Sequence, residues 1–317
     1  MKYYVGVDGG ATKTAVCAAA ADSSELYSEL TISASWREYG VSKVIENIRN
    51  VIKSFPLASD GNIAGVAMGI PCFGESEDGD RELRKAIEDA FPGIPKYITN
   101  DVEVGWAGSL SLTPGVNVVA GTGAIAFGKN ESGETARSGG WSEFFGDEGS
   151  CYWVGKKLMQ LFSQQADGRI PKDALYTTVR SELNIKNDFE FIDLVHREYI
   201  TNRDKVAALQ VLARTAARAG SESVKELYKE AANELCRLVA AIRERLKFET
   251  QPFLVSYSGG LYRSEDLVLP HFFAGIEAIG GKPVTPKFEP MYGALLLAFE
   301  QNNPEELPKL IKRLEEI

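Results

Sequence analysis

Two short segments rich in glycine and threonine have the residue types that bind phosphate. The first is Asp8-Gly9-Gly10-Ala11-Thr12-Lys13-Thr14, and the second is Gly121-Thr122-Gly123-Ala124. Such turns expose backbone N–H groups and hydroxyls without a bulky Cβ in the way. One turn alone is as well explained by a tight hairpin that needs glycine, but two of them on two domains favour a nucleotide gripped from both sides.

Neither turn fits two other common nucleotide-binding signatures. Lys13 is not part of a G-x-x-x-x-G-K-[ST] motif, and Gly121-Thr122-Gly123 is not followed by the third glycine of G-x-G-x-x-G. The sequence therefore disfavours both a P-loop and a Rossmann cofactor site.

Each turn lies between two apolar runs and predicts the tip of a β-hairpin. A third short strand follows each hairpin, at Leu26 to Ile32 and at Thr135 to Ser138, so the same unit is predicted twice. After the first hairpin, strands at 63–70 and 97–99 alternate with helices at 41–52, 80–91 and 102–110. This order predicts a mixed sheet covered by helices. Residues 150–247 predict mostly helix.

Length and charge limit the classes of protein and partner. The chain has 317 residues, 44% of them hydrophobic, and a formal net charge of −9. Such a length predicts two domains, and the negative charge argues against nucleic acid or an anionic membrane as partner. Asp8 breaks the first apolar run, and no uncharged apolar run of about 18 residues occurs. Without a signal peptide or membrane span, we expect a cytoplasmic protein.

The four cysteines, Cys17, Cys72, Cys151 and Cys236, are far apart and form no C-x-x-C pair. This spacing argues against a zinc ribbon, an iron–sulfur cluster within one chain and a secreted disulfide framework. We therefore expect reduced thiols.

Five segments carry the residues that could do chemistry. They are Asp8 to Thr14, Asn100-Asp101, Gly121 to Gly123, residues 139–150 and Ser258 to Leu261. With these segments the chain resembles the sugar kinase/Hsp70/actin superfamily, and within it the eukaryotic-type N-acetylglucosamine kinases and the benzoyl-CoA reductase activator-like ATPases. The resemblance covers nearly the whole length. Its most specific part is G-G-W-S-E-F-F-G-D-E-G-S-C-Y-W-V-G at residues 139–155.

The resemblance implies an α/β fold of two duplicated ribonuclease-H-like (actin-like ATPase) domains with a nucleotide cleft between them. The N-terminal domain would comprise residues 1–112, with the C-terminal helix 300–317 packed on it. The C-terminal domain would comprise residues 113–299 and include a helical insertion. The expected partners are a small-molecule sugar and a second copy of the chain in a homodimer.

The resemblance also implies that ATP and Mg²⁺ are bound. In such kinases the first turn binds the β- and γ-phosphates, and its Asp, here Asp8, holds the hydrated metal. The implied phosphate-binding residues of that turn are Gly9, Gly10, Thr12, Lys13 and Thr14. Gly121, Thr122 and Gly123 would hold the phosphates from the other domain, and Ser258, Gly259 and Gly260 match the turn that holds adenosine.

Asp101 matches the Asp that accepts a proton from the sugar hydroxyl in such kinases. An Asp before a predicted helix is also a good N-cap, and the two roles are compatible because a cap fixes the direction of its carboxylate. The implied sugar-binding positions are Ser35, Asp101, Thr122, Gly140, Trp141 and Asp147.

The chain departs from the family pattern at two positions. Ser35 stands where Asn is frequent, and Ala124 stands where Ser commonly follows Gly-Thr-Gly. The shorter Ser35 would enlarge the space beside the sugar, where Arg37 could pair with the lactyl carboxylate of N-acetylmuramate. A solvated surface charge is the alternative interpretation of Arg37.

The leading hypothesis is an ATP-dependent kinase of the 6-hydroxyl of N-acetylglucosamine or a close relative such as N-acetylmuramate or glucosamine. A kinase of another hexose is an alternative. A different class is an activator ATPase that drives a partner reductase or dehydratase, which would need paired cysteines near a glycine loop for a shared iron–sulfur cluster. A sugar-sensing module without catalysis is disfavoured because Asp8, Asp101 and Asp147 are present together.

Overall fold

The structure, a computed structural model, describes residues 1–10, 13–56 and 62–317. Its strands are β1 (Tyr3–Gly9), β2 (Lys13–Ala20), β3 (Leu26–Ile32), β4 (Ile63–Ile70), β5 (Lys96–Asn100), β6 (Gly115–Ala120), β7 (Ala124–Lys129), β8 (Thr135–Gly139), β9 (Phe253–Ser258) and β10 (Gly281–Pro283). Its helices are α1 (Trp36–Tyr39), α2 (Val41–Ser54), α3 (Glu77–Ala90), α4 (Asp101–Leu110), α5 (Cys151–Ala166), α6 (Ala174–Glu182), α7 (Glu190–Glu198), α8 (Arg203–Arg218), α9 (Glu222–Leu246), α10 (Glu265–Ala278), α11 (Pro290–Asn302) and α12 (Leu307–Glu315). None of these described helices is both long and apolar enough to cross a membrane.

The strands form two five-stranded sheets with the same topology. The first has the order β3-β2-β1-β4-β5 and the second the order β8-β7-β6-β9-β10. In each sheet the first three strands of the repeat are antiparallel, and the remaining two run parallel to the first. The predicted α/β fold of duplicated domains is therefore confirmed.

Each sheet has its own hydrophobic core, covered by helices with one apolar face. In α2 the apolar residues that recur at helical spacing from Val41 to Ile52 are buried. The long helix α9 likewise buries Val224, Leu227, Leu235 and further residues at helical spacing. Burying one such aliphatic side chain contributes about 1.5–3 kcal/mol to folding, which explains why the pattern fixes the face of each helix.

The chain divides into two compact units. Unit 1 comprises Met1–Pro114 and Thr285–Ile317, and unit 2 comprises Gly115–Val284. The domain boundary predicted from the sequence puts residues 285–299 in the second domain. In the structure these residues belong to unit 1, together with the first sheet.

Close backbone packing explains why α11 belongs to unit 1. A Cβ on Gly293 of α11 would overlap the carbonyl oxygen of Val104 in α4, and a Cβ on Gly6 of β1 would overlap the backbone nitrogen of Leu295. Glycine at these positions lets the helix lie directly on α4 and on the first sheet. Side-chain periodicity carries no information about such a backbone contact.

Gly293→Ala should lower the free energy of unfolding by about 1–3 kcal/mol or more, because the added methyl meets backbone that cannot rotate away. Chemical denaturation of the purified variant measures this change. Gln301→Ala, an exposed position of the same helix, is the matched control and should change stability by no more than about 0.5 kcal/mol. Equal stability of the two variants would contradict the packing of α11 described here.

Candidate functional site

In unit 1 the candidate chemical groups lie at one edge of the sheet. Strands β1, β4 and β5 are parallel, and Asp8 pairs with Gly69, which in turn pairs with Thr99. The carboxyl ends of parallel strands meet at the same edge, which is where open α/β sheets bind ligands. Asp8 lies near the end of β1 and Asp101 directly follows β5, with β4 between these two strands. A Cβ on Gly69 of β4 would lie 3.1 Å from the Cα of Asp101, so both aspartates are at this edge, on either side of the end of β4.

Asp8 is partly buried, in an environment with excess negative charge. Its pKa is raised to about 7, first by burial and then by the negative charge of Asp101. The ammonium of Lys13 opposes this shift, whereas Glu289 adds to it. A carboxylate that is buried beside like charges is stabilised by a bound cation.

This environment fits a hydrated Mg²⁺ better than a metal enclosed by the protein. Among the described residues, no group of three or more His, Cys, Asp or Glu side chains could hold a metal ion. Mg²⁺ usually keeps several waters and binds one or two carboxylates together with substrate phosphates. Asp8 would serve as such a carboxylate.

The N-cap of α4 is Asn100 and not Asp101, which corrects the capping role considered from the sequence. The Asn100 side-chain oxygen accepts from the Val102 N–H at 3.2 Å, and its amide nitrogen donates to the Phe73 carbonyl at 2.8 Å. Asp101 is the first residue inside the helix. Its carboxylate therefore lies in the first helical turn, where the helix dipole favours negative charge.

The first glycine turn is closed by a hydrogen bond from the Gly10 N–H to the Lys13 carbonyl at 2.9 Å. Lys13 is exposed and Thr14 is buried, whereas Thr12 lies outside the described residues. Gly9 is packed closely enough that a Cβ there would lie 2.8 Å from the Gly69 carbonyl oxygen. The turn thus lies against the same sheet edge as Asp8.

Ser35 and Arg37 lie in a segment attached to this turn. The Ala34 N–H donates to the Gly10 carbonyl at 3.0 Å, and the Ser35 N–H donates to the Ser33 hydroxyl at 2.9 Å. The guanidinium of Arg37 pairs with Glu75 at 3.4 Å and is half exposed. An acidic substrate would have to compete with Glu75 for this guanidinium.

In unit 2 the second glycine turn is attached to the start of α5. The Gly121 N–H donates to the Gly123 carbonyl at 2.9 Å, and the Cys151 N–H donates to the Gly121 carbonyl at 2.9 Å. The Ser150 hydroxyl caps α5 by accepting from the Trp153 N–H at 3.0 Å. Together these bonds hold the turn in one conformation.

The Ser258-Gly259-Gly260 turn lies beside the second glycine turn. Ser258 ends β9 and pairs with Val119 of the parallel strand β6. Gly259 has a φ of +107°. A Cβ there would lie only 2.5 Å from the Ala120 carbonyl, so a side chain would separate the two turns. Unit 2 therefore brings together two of the segments expected to bind nucleotide.

Asp147 is a buried carboxylate in unit 2 with a left-handed backbone, at φ +58°. Its Oδ1 accepts from the Ala124 N–H at 3.3 Å, and its Oδ2 accepts from the guanidinium of Arg203 at 2.7 Å. Burial raises the pKa of Asp147, and the Ala124 N–H and Arg203 act against this shift. Arg203 is 56 residues away in the chain, and nothing in the sequence pattern indicates the contact.

Gly140 and Trp141 follow the end of β8. The Gly140 N–H donates to the Ala124 carbonyl at 2.8 Å, which places this segment beside the second turn. The Trp141 side chain is 67% exposed, and Phe144 and Phe145 are also exposed. The indole ring is thus accessible to a ligand.

Comparison with known proteins identifies the class. The model of the BadF/BadG/BcrA/BcrD ATPase family matches residues 5–298, and the chain belongs to this family. The resemblance stated from the sequence is thereby confirmed.

Two related proteins carry more specific names. An N-acetylmuramic acid/N-acetylglucosamine kinase of Clostridium acetobutylicum is 27% identical, over 94% of this chain and 98% of its own. An N-acetyl-D-glucosamine kinase of Dictyostelium discoideum is 28% identical, over 81% and 84% of the two chains. Among solved structures, a putative N-acetylglucosamine kinase of Chromobacterium violaceum has a TM-score of 0.75 at 23% identity, covering 94% of this chain and 99% of its own. This last likeness concerns the fold.

Asp8→Asn should stabilise the metal-free protein relative to the wild type increasingly as the pH rises from about 4 to about 7, and by a constant amount above that. The folded-state pKa of Asp8 is raised from 3.8 to about 7. Below the unfolded-state pKa of 3.8, Asp8 is protonated in both states and does not reduce the stability of the fold. As the pH rises from there through about 7, the cost of ionising Asp8 in the folded protein lowers the free energy of unfolding. Asparagine titrates nowhere in this range. Thermal unfolding in the presence of a chelator measures the difference between the variant and the wild type.

Asp22→Asn is the matched control, because hydrogen bonds from Ser24 lower the pKa of this exposed aspartate. The stability that the Asp22 carboxylate contributes is lost only at acid pH. The difference in stability between Asp22→Asn and the wild type should therefore not change near pH 7. Parallel pH profiles for Asp8→Asn and the wild type would contradict the assigned environment of Asp8.

Proposed function

We propose that the protein is an ATP-dependent amino-sugar kinase that transfers the γ-phosphate to the 6-hydroxyl of N-acetylglucosamine. The observation that carries this proposal is the placement of Asp8 and Asp101 at one edge of the first sheet. The Asp8 carboxylate there is suited to hold a metal ion that also contacts phosphate. The Asp101 carboxylate is suited to accept a proton. The names of the two relatives support the choice of an amino sugar.

Phosphoryl transfer depends mainly on positioning and on neutralising charge, with a group that receives the hydroxyl proton. In the proposed reaction the Asp101 carboxylate accepts that proton. The backbone N–H groups of the two glycine turns and the exposed ammonium of Lys13 bind phosphate oxygens, and the Ser258–Gly260 turn accommodates adenosine. When bound, Mg²⁺ at Asp8 would neutralise phosphate charge.

Asp147, Gly140 and Trp141 are proposed to bind the acceptor sugar, together with Ser35 and Thr122. Two of the four or so lone-pair positions on the Asp147 carboxylate are used by Ala124 and Arg203. The remaining positions can accept sugar hydroxyls. The exposed Trp141 ring offers an apolar wall.

N-acetylmuramate is proposed as a second acceptor, which is also the activity in the name of one relative. Arg37 is the proposed partner of its lactyl carboxylate and would exchange Glu75 for the substrate. Such an acceptor would connect the reaction with the recycling of cell-wall sugars. Glucosamine or another hexose is the alternative acceptor. We further propose a cytoplasmic homodimer.

An activator ATPase that drives a partner reductase or dehydratase is the alternative of a different class, and the family name includes ATPases. Such an activator needs exposed cysteines for a shared cluster. Cys17, Cys151 and Cys236 are buried, and Cys72 is partly exposed. This distribution favours the kinase.

A coupled assay with MgATP and a panel of N-acetylglucosamine, N-acetylmuramate, glucosamine and glucose tests the proposal. We expect ADP release that depends on an N-acetyl sugar, and a 6-phosphate product identified by NMR. ATP hydrolysis without any dependence on sugar, together with bound iron in anaerobically purified protein, would instead identify the activator ATPase.

Asp101→Asn should reduce kcat by about two to four powers of ten while sugar and nucleotide still bind, because the amide keeps the shape but accepts no proton. Steady-state kinetics and calorimetric titration measure the two effects. Glu77→Gln makes the same chemical change at the exposed first residue of α3, and its kinetics should be unchanged. Near-normal turnover of Asp101→Asn would rule out Asp101 as the proton acceptor.

A further inference from the structure

The helix α8 begins beside the second glycine turn and Asp147. Its N-cap is Asn202, whose side-chain oxygen accepts from the Lys205 N–H at 2.9 Å. The cap fixes where the helix starts and therefore where its first residue, Arg203, is placed. The second residue, Asp204, accepts from the Thr122 hydroxyl of the second glycine turn at 3.4 Å. Two consecutive residues of α8 thus contact two predicted substrate-binding residues.

Arg203 provides the cation that compensates the buried Asp147 carboxylate. One terminal nitrogen of its guanidinium donates to Asp147 Oδ2 at 2.7 Å, and its Nε lies 3.3 Å from Glu143 Oε2. Only 3% of the Asp147 side chain is exposed, against 41% of Arg203. A buried carboxylate without such a partner favours its protonated form, which is a poorer acceptor of hydroxyl hydrogen bonds.

Gly123 leaves the space for this ion pair. A Cβ at this position would lie 2.9 Å from the Arg203 guanidinium nitrogen and 2.9 Å from Asp147 Oδ2. The second glycine of the Gly-Thr-Gly turn therefore has a packing role in addition to any contact with phosphate. The same turn, the carboxylate and the first residue of α8 form one connected group.

We propose that Arg203 is a positioning residue for the acceptor sugar. It keeps the Asp147 carboxylate ionised and holds it in one orientation, so that the remaining lone pairs face the sugar hydroxyls. The inference rests on the proposed function, because it takes Asp147 as the group that binds the sugar. Arg203 itself touches neither substrate nor nucleotide in this role.

The charged groups that face Asp147 come from two elements. Arg203 belongs to α8, and Glu143 belongs to the segment that carries Asp147 itself. Glu143 raises the pKa of Asp147 and Arg203 lowers it, so removal of the guanidinium leaves both burial and Glu143 acting in the same direction. The protonated form of Asp147 would then persist to higher pH.

Arg203→Met and Arg203→Lys test the proposal in the intact protein. For Arg203→Met we expect the KM for N-acetylglucosamine to rise about 10–100-fold, by analogy with the loss of a residue that orients a metal ligand. The KM for ATP should change little. The acidic limb of the plot of kcat/KM against pH should move to higher pH by about one pH unit or more. Arg203→Lys retains the charge and should recover part of both effects.

Arg218→Met is the matched control, because Arg218 pairs with Asp266 at 2.8 Å at the opposite end of α8. It removes an ion pair of the same helix without touching Asp147. Calorimetric titration of N-acetylglucosamine into each protein without ATP gives a binding measurement that is independent of turnover. Thermal unfolding of each variant shows whether it is folded at the assay temperature.

Two negative results differ in meaning. If the wild type neither binds nor phosphorylates any amino sugar of the panel, the proposed function fails and the inference fails with it. If the wild type is active and Arg203→Met has the sugar KM and the acidic limb of Arg218→Met, only the inference is overturned. If Arg203→Met does not fold, Arg203→Gln, which removes the charge and keeps a hydrogen-bond donor, takes its place: an acidic limb moved to higher pH with a raised sugar KM supports the proposal, and an acidic limb at the wild-type position overturns it.

Discussion

The parallel strands of each sheet end at the same edge, and this constraint determines where chemistry can occur in both units. In unit 1 the edge carries the first glycine turn, Asp8 and the start of α4. In unit 2 the corresponding edge carries the second glycine turn and the Ser258–Gly260 turn. Backbone N–H groups are exposed at such an edge because the strand ladder stops there. The duplication therefore provides two similar glycine turns, which are the proposed phosphate-binding groups, and the side chains around each turn differ.

Two aspartates, Asp8 partly buried and Asp147 buried, show how the units differ. Asp8 faces further negative charge from Asp101 and Glu289, and its pKa is raised to about 7. Asp147 has a guanidinium at 2.7 Å that balances its charge within the protein. A carboxylate surrounded by like charges is suited to an external cation, whereas a paired one is suited to neutral hydroxyl groups. The proposed roles in metal and sugar binding follow from these surroundings, since the residue type is the same.

Much of the fold was predictable because its signals are local. Glycine and threonine between apolar runs indicate hairpins, and the pairs β1–β2 and β6–β7 are those hairpins. The spacing of apolar residues in α2 and α9 indicates the buried face of each helix, since 3.6 residues complete one turn. The segment 139–155 is specific enough to indicate the family, which the family model confirms. The roles of individual site residues remain proposals.

The amino-acid sequence alone determined the two hairpins, the duplicated unit and the family, because each depends on residue types within a short stretch of chain. Only the tertiary structure decided which of Asn100 and Asp101 caps α4, which unit holds α11, and which groups pair with Arg37 and Asp147. The cap depends on backbone angles at a strand end, and α11 depends on contact with glycine backbone. Arg37 and Arg203 could each have met many carboxylates along the chain. Their partners, Glu75 and Asp147, are selected by packing between segments distant in sequence, which local patterns do not encode.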